Sequence, residues 1–402
     1  MTSPTFLRHF LVSTAVLFSL FAVLNVSAAR SAETSETGGI ITHEVEQTPA
    51  EVKSTWTQED FENAIPADTE PSPSQALSIP DFPDASTSAK PGGFYVEDPT
   101  QLPKRLQGKV FFRVGNLIYS CSATVISSRF GNAVFTAGHC VYDRESGGFV
   151  QNFIFLPGYN ARTSLGAYTA TTLASTKKWI NTGSFTGDIG IATLSGTPVA
   201  NLGGARGVAF NLNPKNRKFT IYGYPGEPSP PFDGERLWGC RVKVVGRDKN
   251  PPRTLAGYPC IMGPGTSGGG WITHGYLNSV SSYYYCNTPN RYCGYLFGPY
   301  FGKWARQLYT SPAVGGSIDP IIAIAKHPKR KTSKRRVNFR FIAIASTPMN
   351  FQCKFDHRKW QKCRARTSIS RLSKGRHTLR LRAWDQTGRP AVNKQRFRFY
   401  KR

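Results

Sequence analysis

Between residues 106 and 310, apolar positions come in short runs, each closed by glycine or proline within a few residues. Residues 109–114 (KVFFRV), 123–126 (ATVI), 133–135 (AVF), 153–156 (FIFL), 189–192 (IGIA) and 218–222 (KFTIY) are rich in β-branched and aromatic side chains. Residues 241–245 (RVKVV) alternate apolar and polar at period two. Short strands punctuated this way predict an antiparallel sandwich or barrel and argue against alternating strands and helices. A short helix is predicted at 302–308, where KWARQL lies. A second alternating block follows at 337–341 (VNFRF), 377–384 (HTLRLRAW) and 396–400 (RFRFY). Period two puts Leu379, Leu381 and Ala383 on one face and Thr378, Arg380 and Arg382 on the other. That predicts a small β-sandwich with one wet, cationic face. No internal repeat is found.

Charge divides the chain further. Its 402 residues carry a net +27, unevenly placed. Residues 30–103 hold 14 acidic and 3 basic side chains (net −11), and residues 104–325 hold 8 and 22 (net +14). Residues 326–402 hold 2 and 25 (net +23). Three electrostatic regimes predict three physical units. The acidic stretch has little apolar periodicity, which predicts disorder. It reads either as a spacer or as a removable pro-segment docked electrostatically on the basic body, with Lys104 and Arg105 as the processing site. Ahead of it, Arg8 and His9 precede an apolar run over 10–26 and the small residues Ser27, Ala28 and Ala29. This is the pattern of a secretory signal peptide cut after Ala28 or Ala29, an uncleaved anchor being the alternative. The expected boundaries are 1–29 signal peptide, 30–105 pro-segment, 106–310 first folded domain, 311–336 linker with a basic run, and 337–402 sandwich module. Location is expected to be extracellular or on the cell wall, with no membrane span once the signal is removed. Eight cysteines fit an oxidising compartment.

Three motifs carry chemistry. TAGHC ends in His139 and Cys140, GDIGIA contains Asp188, and GPGTSGGGW contains Ser267. A serine hydroxyl is a weak nucleophile until a base takes its proton. An imidazole does this near neutral pH, and a buried carboxylate fixes its tautomer. The oxyanion that then forms needs preorganised N–H donors. Glycines let the backbone curl to aim them, so Gly265 and Ser267 are the expected donors. No CxxC or HExxH occurs, and no metal or other cofactor is expected. No nucleic-acid-reading motif is present, so no specific nucleic-acid partner is expected.

These motifs resemble the chymotrypsin-fold serine peptidases, nearest the secreted bacterial glutamyl-endopeptidase-like branch. Residues 119–124 (YSCSAT), 155–159 (FLPGY), 219–225, 231–238 (PFDGERLW) and 275–280 (GYLNSV) extend the likeness over residues 106–310. The resemblance implies an all-β fold: a double six-stranded antiparallel β-barrel, chymotrypsin-like, with the small sandwich after it. It implies that His139 is the general base, Asp188 its orienter and Ser267 the nucleophile of a trypsin-like endopeptidase made as a zymogen and acting on proteins or peptides. It also implies that Cys121 pairs with Cys140. Cys240 with Cys260 and Cys286 with Cys293 are pairings by proximity alone.

The sequence departs from the patterns it resembles in places. Thr266 stands where zymogen-activated trypsins carry an aspartate before the nucleophile. Ile261 stands where trypsins carry an acidic specificity residue, so cleavage after basic residues is not expected. Glutamyl endopeptidases place a histidine on the strand after the nucleophile. The tract around Ser279, Val280 and Ser281, expected with Ile261 to contact substrate, has none, and His274 reads as a turn residue. The tail, with FQCKFD at 351–356, WQKC at 360–363, LSKGRHT at 372–378 and RAWD at 382–385, resembles immunoglobulin-like modules of secreted bacterial proteins. That implies a Cys353–Cys363 bond. Its charge makes an anionic envelope polymer the expected ligand, against the plainer role of a solvated tether. The alternative for the whole chain is a catalytically idle relative serving as a basic adhesion or polyanion-binding protein.

Overall fold

A computed structural model describes residues 34–67, 93–227, 231–249, 252–285, 294–316, 321–344, 349–384, 391 and 395–402. The signal-peptide residues and the Cys286–Cys293 pairing lie outside the described residues.

The chain folds because its short strands close on themselves. The first barrel is built from β1 (Gln107–Val114), β2 (Leu117–Ile126), β3 (Ala133–Thr136), β4 (Gln151–Pro157), β5 (Tyr168–Thr176) and β6 (Gly190–Leu194). Its order is β5-β4-β1-β2-β3-β6, and antiparallel pairing of β5 with β6 closes the ring. Closure removes sheet edges. The interior is filled by Val110, Phe112, Val125, Phe155, Leu173 and Leu194.

The second barrel uses β7 (Lys218–Gly223), β8 (Trp238–Lys249), β9 (Pro252–Tyr258), β10 (Gly270–Thr273), β11 (Tyr276–Val280) and β12 (Leu296–Gly298). Its path β11-β10-β7-β8-β9-β12 stays open among the described residues, with a single Tyr283–Phe297 bridge drawing its ends together. Trp271, Phe219, Val242 and Leu255 fill it. A third cluster, containing Ile126, Phe135, Ile189, Phe210, Leu277 and Phe301, joins residues of both barrels, and the helix Lys303–Tyr309 packs into it through Leu308 and Tyr309. This is the chymotrypsin-like double-barrel architecture, with a half-open second barrel. Cys121–Cys140 and Cys240–Cys260 are bonded within it.

Residues beyond the barrels depart from expectation in two places. The acidic stretch is not disordered where it is described. Thr34–Thr37 and Ile40–Glu44 form a hairpin that pairs with β5, helices Pro49–Ser54 and Gln58–Glu62 follow, and Ile65–Pro66 pairs with β2. Gly93–Tyr95 pairs with β8. This segment has almost no core of its own, and it orders by borrowing backbone partners and apolar surface from the barrel. Trp56 shows how: its Nε1 donates to the Asn152 carbonyl at 3.0 Å, and its ring packs on Phe61 and Phe111.

The linker expectation is corrected too. Residues 311–336 supply two strands, β13 (Ile321–Lys326) and β14 (Lys331–Thr332), to the C-terminal unit. With β15 (Val337–Ile344), β16 (Asn350–Phe355), β17 (Gln361–Cys363), β18 (Arg366–Ile369), β19 (Gly375–Trp384) and β20 (Gln395–Lys401), they make two sheets, β13-β15-β18 and β14-β20-β19-β16-β17. Phe339, Phe341, Phe351, Leu379, Leu381 and Phe399 pack between them. The alternation on β19 is realised as expected, with Leu379, Leu381 and Ala383 buried. Cys353 is bonded to Cys363.

Candidate active site

His139 sits just past the end of β3, and Asp188 ends a single 3-10 turn, Phe185–Gly187, that leads into β6. β3 and β6 are paired neighbours, so register brings the two residues together. The Asp188 carboxylate is fully buried and makes three contacts. Oδ1 accepts the His139 backbone N–H at 2.8 Å, and Oδ2 lies 2.9 Å from His139 Nδ1. Oδ2 also accepts the Ser282 hydroxyl at 2.5 Å. Burial of a carboxylate is costly unless several donors meet it, and here they do.

Two glycines make this approach possible. A Cβ on Gly138 would stand 2.8 Å from Asp188 Oδ1 and 2.9 Å from the Trp179 ring. A Cβ on Gly190 would collide with the Ala137 carbonyl. The glycines in AGH and in GDIG are therefore requirements of close approach. Trp179 covers the pair from the helix Lys177–Thr182, which Thr176 Oγ1 caps by accepting the Trp179 N–H at 3.0 Å. Its ring lies 6.1 Å from that of His139.

Ser267 is presented by the turn between β9 and β10. Gly265 and Gly268 have φ of +85° and +80°, the left-handed region in which side chains are strained. A Cβ on Gly268 would strike Thr136 Oγ1 and the Ser122 carbonyl. The turn is thus seated against the end of β3, a few residues before His139. Ser122 on β2 fastens it. The Ser122 N–H donates to the Ser267 carbonyl at 2.7 Å, and its Oγ donates to the Gly265 carbonyl at 2.8 Å. From the other side, the Gly268 N–H donates to the Ser281 carbonyl at 2.8 Å. His139 and Ser267 are nearly buried, at 7% and 6% exposure. The Gly265 N–H donates to the carbonyl of Ala67 at 3.3 Å.

Other expected contacts fall differently. Ile261 is half-buried against the second-barrel core, and a Cβ on Gly93 would lie 3.6 Å from its Cγ1. The side chains of Ser279, Val280 and Ser281 are buried and point inward. Ser279 Oγ donates to the Pro299 carbonyl at 2.7 Å, Val280 is core, and Ser281 Oγ accepts from Trp271 Nε1 at 3.2 Å. The residue overlooked in the sequence is Ser282, whose signal was only its place two residues past β11. His274 has φ +52° in the β10–β11 turn, as its turn reading expected. Cys121, His139 and Cys140 cluster closely enough to suggest metal ligands, but both sulfurs are in a disulfide and no thiolate is available. Next to the site, Tyr283 packs on Phe185 and donates to Asp248 at 2.8 Å. Burial, with that carboxylate beside it, holds its phenol well above the ordinary range.

No family model matches the chain. Over 124 residues it is 31% identical to the glutamyl endopeptidase of Bacillus licheniformis, a match covering 30% of this chain and 37% of that protein. Among solved structures, the protease Anisep from Arthrobacter nicotinovorans is 32% identical, with 52% of this chain and 95% of that one covered and a TM-score of 0.47. A thermostable serine protease, AL20, from an extremophilic microorganism is 35% identical, covering 52% and 97%, also at 0.47. The chain has a chymotrypsin-like serine-protease fold. Its similar proteins include a glutamyl endopeptidase.

Proposed function

We propose that this chain is a secreted serine endopeptidase that cleaves peptide bonds through an acyl-enzyme. The observation that carries the reading is the buried Asp188 carboxylate, gripping both the backbone N–H and the Nδ1 side of His139. An imidazole held that way keeps its Nδ1–H toward the carboxylate and offers its outer nitrogen as a base. Ser267 Oγ attacks the substrate carbonyl while His139 takes its proton. The Gly265 and Ser267 N–H groups receive the oxyanion. His139 then protonates the leaving amine, and the C–N bond breaks. Water, deprotonated by His139, attacks the acyl ester and releases Ser267. With Ile261 at the specificity position, cleavage after arginine or lysine is not expected, and a peptide library reads this directly. A fluorophosphonate probe should label the secreted, processed protein at Ser267 and leave Ser267→Ala unlabelled. No labelling of the processed wild type would favour the idle, adhesive alternative.

The C-terminal unit supports a second element of the same reading: retention on an anionic envelope polymer. Arg217, Lys218, Arg241 and Lys243 of the second barrel face Arg340 and Arg366 of the sandwich across one groove of about 970 Å³. Arg340 donates to His274 Nε2 at 3.0 Å, and burial, with Arg340 and Arg217 beside it, holds that imidazole below its ordinary range. Like charges gathered in this way attract polyanions, and salt screens the attraction. Pelleting with cell walls should therefore fall as salt rises, and fall further when Arg340 and Arg366 are replaced by glutamine. Partitioning indifferent to both would remove this element.

A further inference from the structure

The N-terminal stretch does more than lean on the barrel. Ile65 and Pro66 run parallel to Tyr119 and Ser120 of β2, and the Ala67 N–H donates to the Ser120 carbonyl at 2.8 Å. The strand that receives them also holds Ser122, the residue that fastens the Ser267 turn. Pro66 rides over two glycines: a Cβ on Gly226 would lie 2.5 Å from Pro66 Cγ, and one on Gly265 would lie 3.4 Å from Pro66 Cβ. The Ala67 carbonyl accepts the Gly265 N–H, at 3.3 Å, and Ala67 is only 7% exposed. One of the two N–H groups assigned to the oxyanion is therefore already engaged by the chain's own carbonyl.

The segment is held by anchors well away from that carbonyl. Val52 is buried, Trp56 bonds to Asn152 and stacks on Phe61, and Asp60 lies 3.0 Å from Arg113 Nη2. The Arg113 guanidinium also sits 5.1 Å over the Trp56 ring. The hairpin pairing with β5 adds a further strand of backbone bonds. The charges of the two partners, net −11 over 30–103 and +14 over 104–325, favour the association.

From this we propose that residues 34–67 are an intramolecular inhibitor. Its docking surface is the Tyr119–Ser120 edge of β2 with Gly226 and Gly265. Its action is to hold a backbone carbonyl on the oxyanion donor, so that a substrate carbonyl gains that donor only when the segment lifts. The inference rests on the proposed role of Ser267.

The test uses the unprocessed full chain and the rate at which a fluorophosphonate labels Ser267. Ala67→Pro removes the N–H given to Ser120. Trp56→Ala loosens an anchor remote from the cleft, and it serves if the first variant folds poorly. Each is checked by its thermal midpoint and against its Ser267→Ala counterpart. Wild type should label slowly, because only the lifted fraction reacts. Either variant should label about tenfold faster or more, and amide exchange across 263–269 should quicken in step. Equal labelling rates in wild type and both folded variants would overturn the inference and leave the proposed function standing. No labelling of any form, the processed wild type included, would overturn both.

Discussion

Among the described residues, two histidine–aspartate pairs look alike at first contact. In the first barrel, Asp188 Oδ2 lies 2.9 Å from His139 Nδ1 while Oδ1 accepts a backbone N–H. In the sandwich, Asp356 Oδ2 lies 2.8 Å from His377 Nδ1 while Oδ1 accepts the Thr378 N–H at 2.7 Å. What differs is the other side of each ring. His377 Nε2 faces the Ser373 carbonyl at 2.9 Å, so both ring nitrogens are occupied by acceptors of the protein itself and neither faces a side-chain hydroxyl. The His139 ring is packed by Trp179, and the strand before it carries the Ser267 turn. A carboxylate on an imidazole is thus a common device for holding a loop. It becomes a candidate for catalysis only when the far nitrogen is turned to a nucleophile.

Substitutions can break this comparison. The largest effect is expected at Asp188→Asn, which should lower turnover by about four orders of magnitude while the fold persists. Asp356→Asn should leave turnover of processed protein unchanged. It should instead cost the sandwich about 1–3 kcal/mol, because the His377 ring and the Thr378 N–H lose a carboxylate acceptor, and thermal unfolding would show this. A similar loss of about 3 kcal/mol is expected when Cys353 and Cys363 are both replaced by serine, opening the loop they close. Ser282→Ala sharpens the comparison from the other direction, since Asp188 accepts a hydroxyl where Asp356 meets only the His377 ring and the Thr378 N–H among the described residues. It should reduce kcat about tenfold with little change in KM, through loss of one charge-assisted bond.

A third histidine gives the smallest effect. His43 stacks on Phe149, and burial lowers its pKa below 6.5, with Glu46 and Glu44 partly opposing the shift. The undocked segment therefore binds protons that the docked one refuses. Docking strength is complete above about pH 6.5 and weakens as pH falls through the lowered value. Labelling of the unprocessed chain should accelerate modestly on acidification, and His43→Phe should flatten that response.

The sequence made some features legible and hid others. Strand positions in the barrels and on β19 were readable because alternation reports burial on a pleated surface. The motifs around His139, Asp188 and Ser267 stood out because of the glycines beside them, and the structure shows at Gly138, Gly190 and Gly268 which atoms require those glycines. The order of residues 34–67 was hidden, since a segment without its own core gives no periodic signal. Lys109 was hidden too. It is buried because Glu235 reaches it at 3.1 Å and Phe111 lies beneath its ammonium, and burial holds that group below its ordinary range.

Composition and local pattern by themselves determined that this is an all-β chain with three charge regimes and a serine, histidine and aspartate in glycine-marked turns. Only the tertiary structure decided that Asp188 reaches His139, that Ser282 joins them, and that Ala67 lies on Gly265. Local pattern fixes which residues a strand buries. Which distant backbone fills a given hydrogen-bond donor depends on the closure of both barrels, and no short stretch of sequence encodes that.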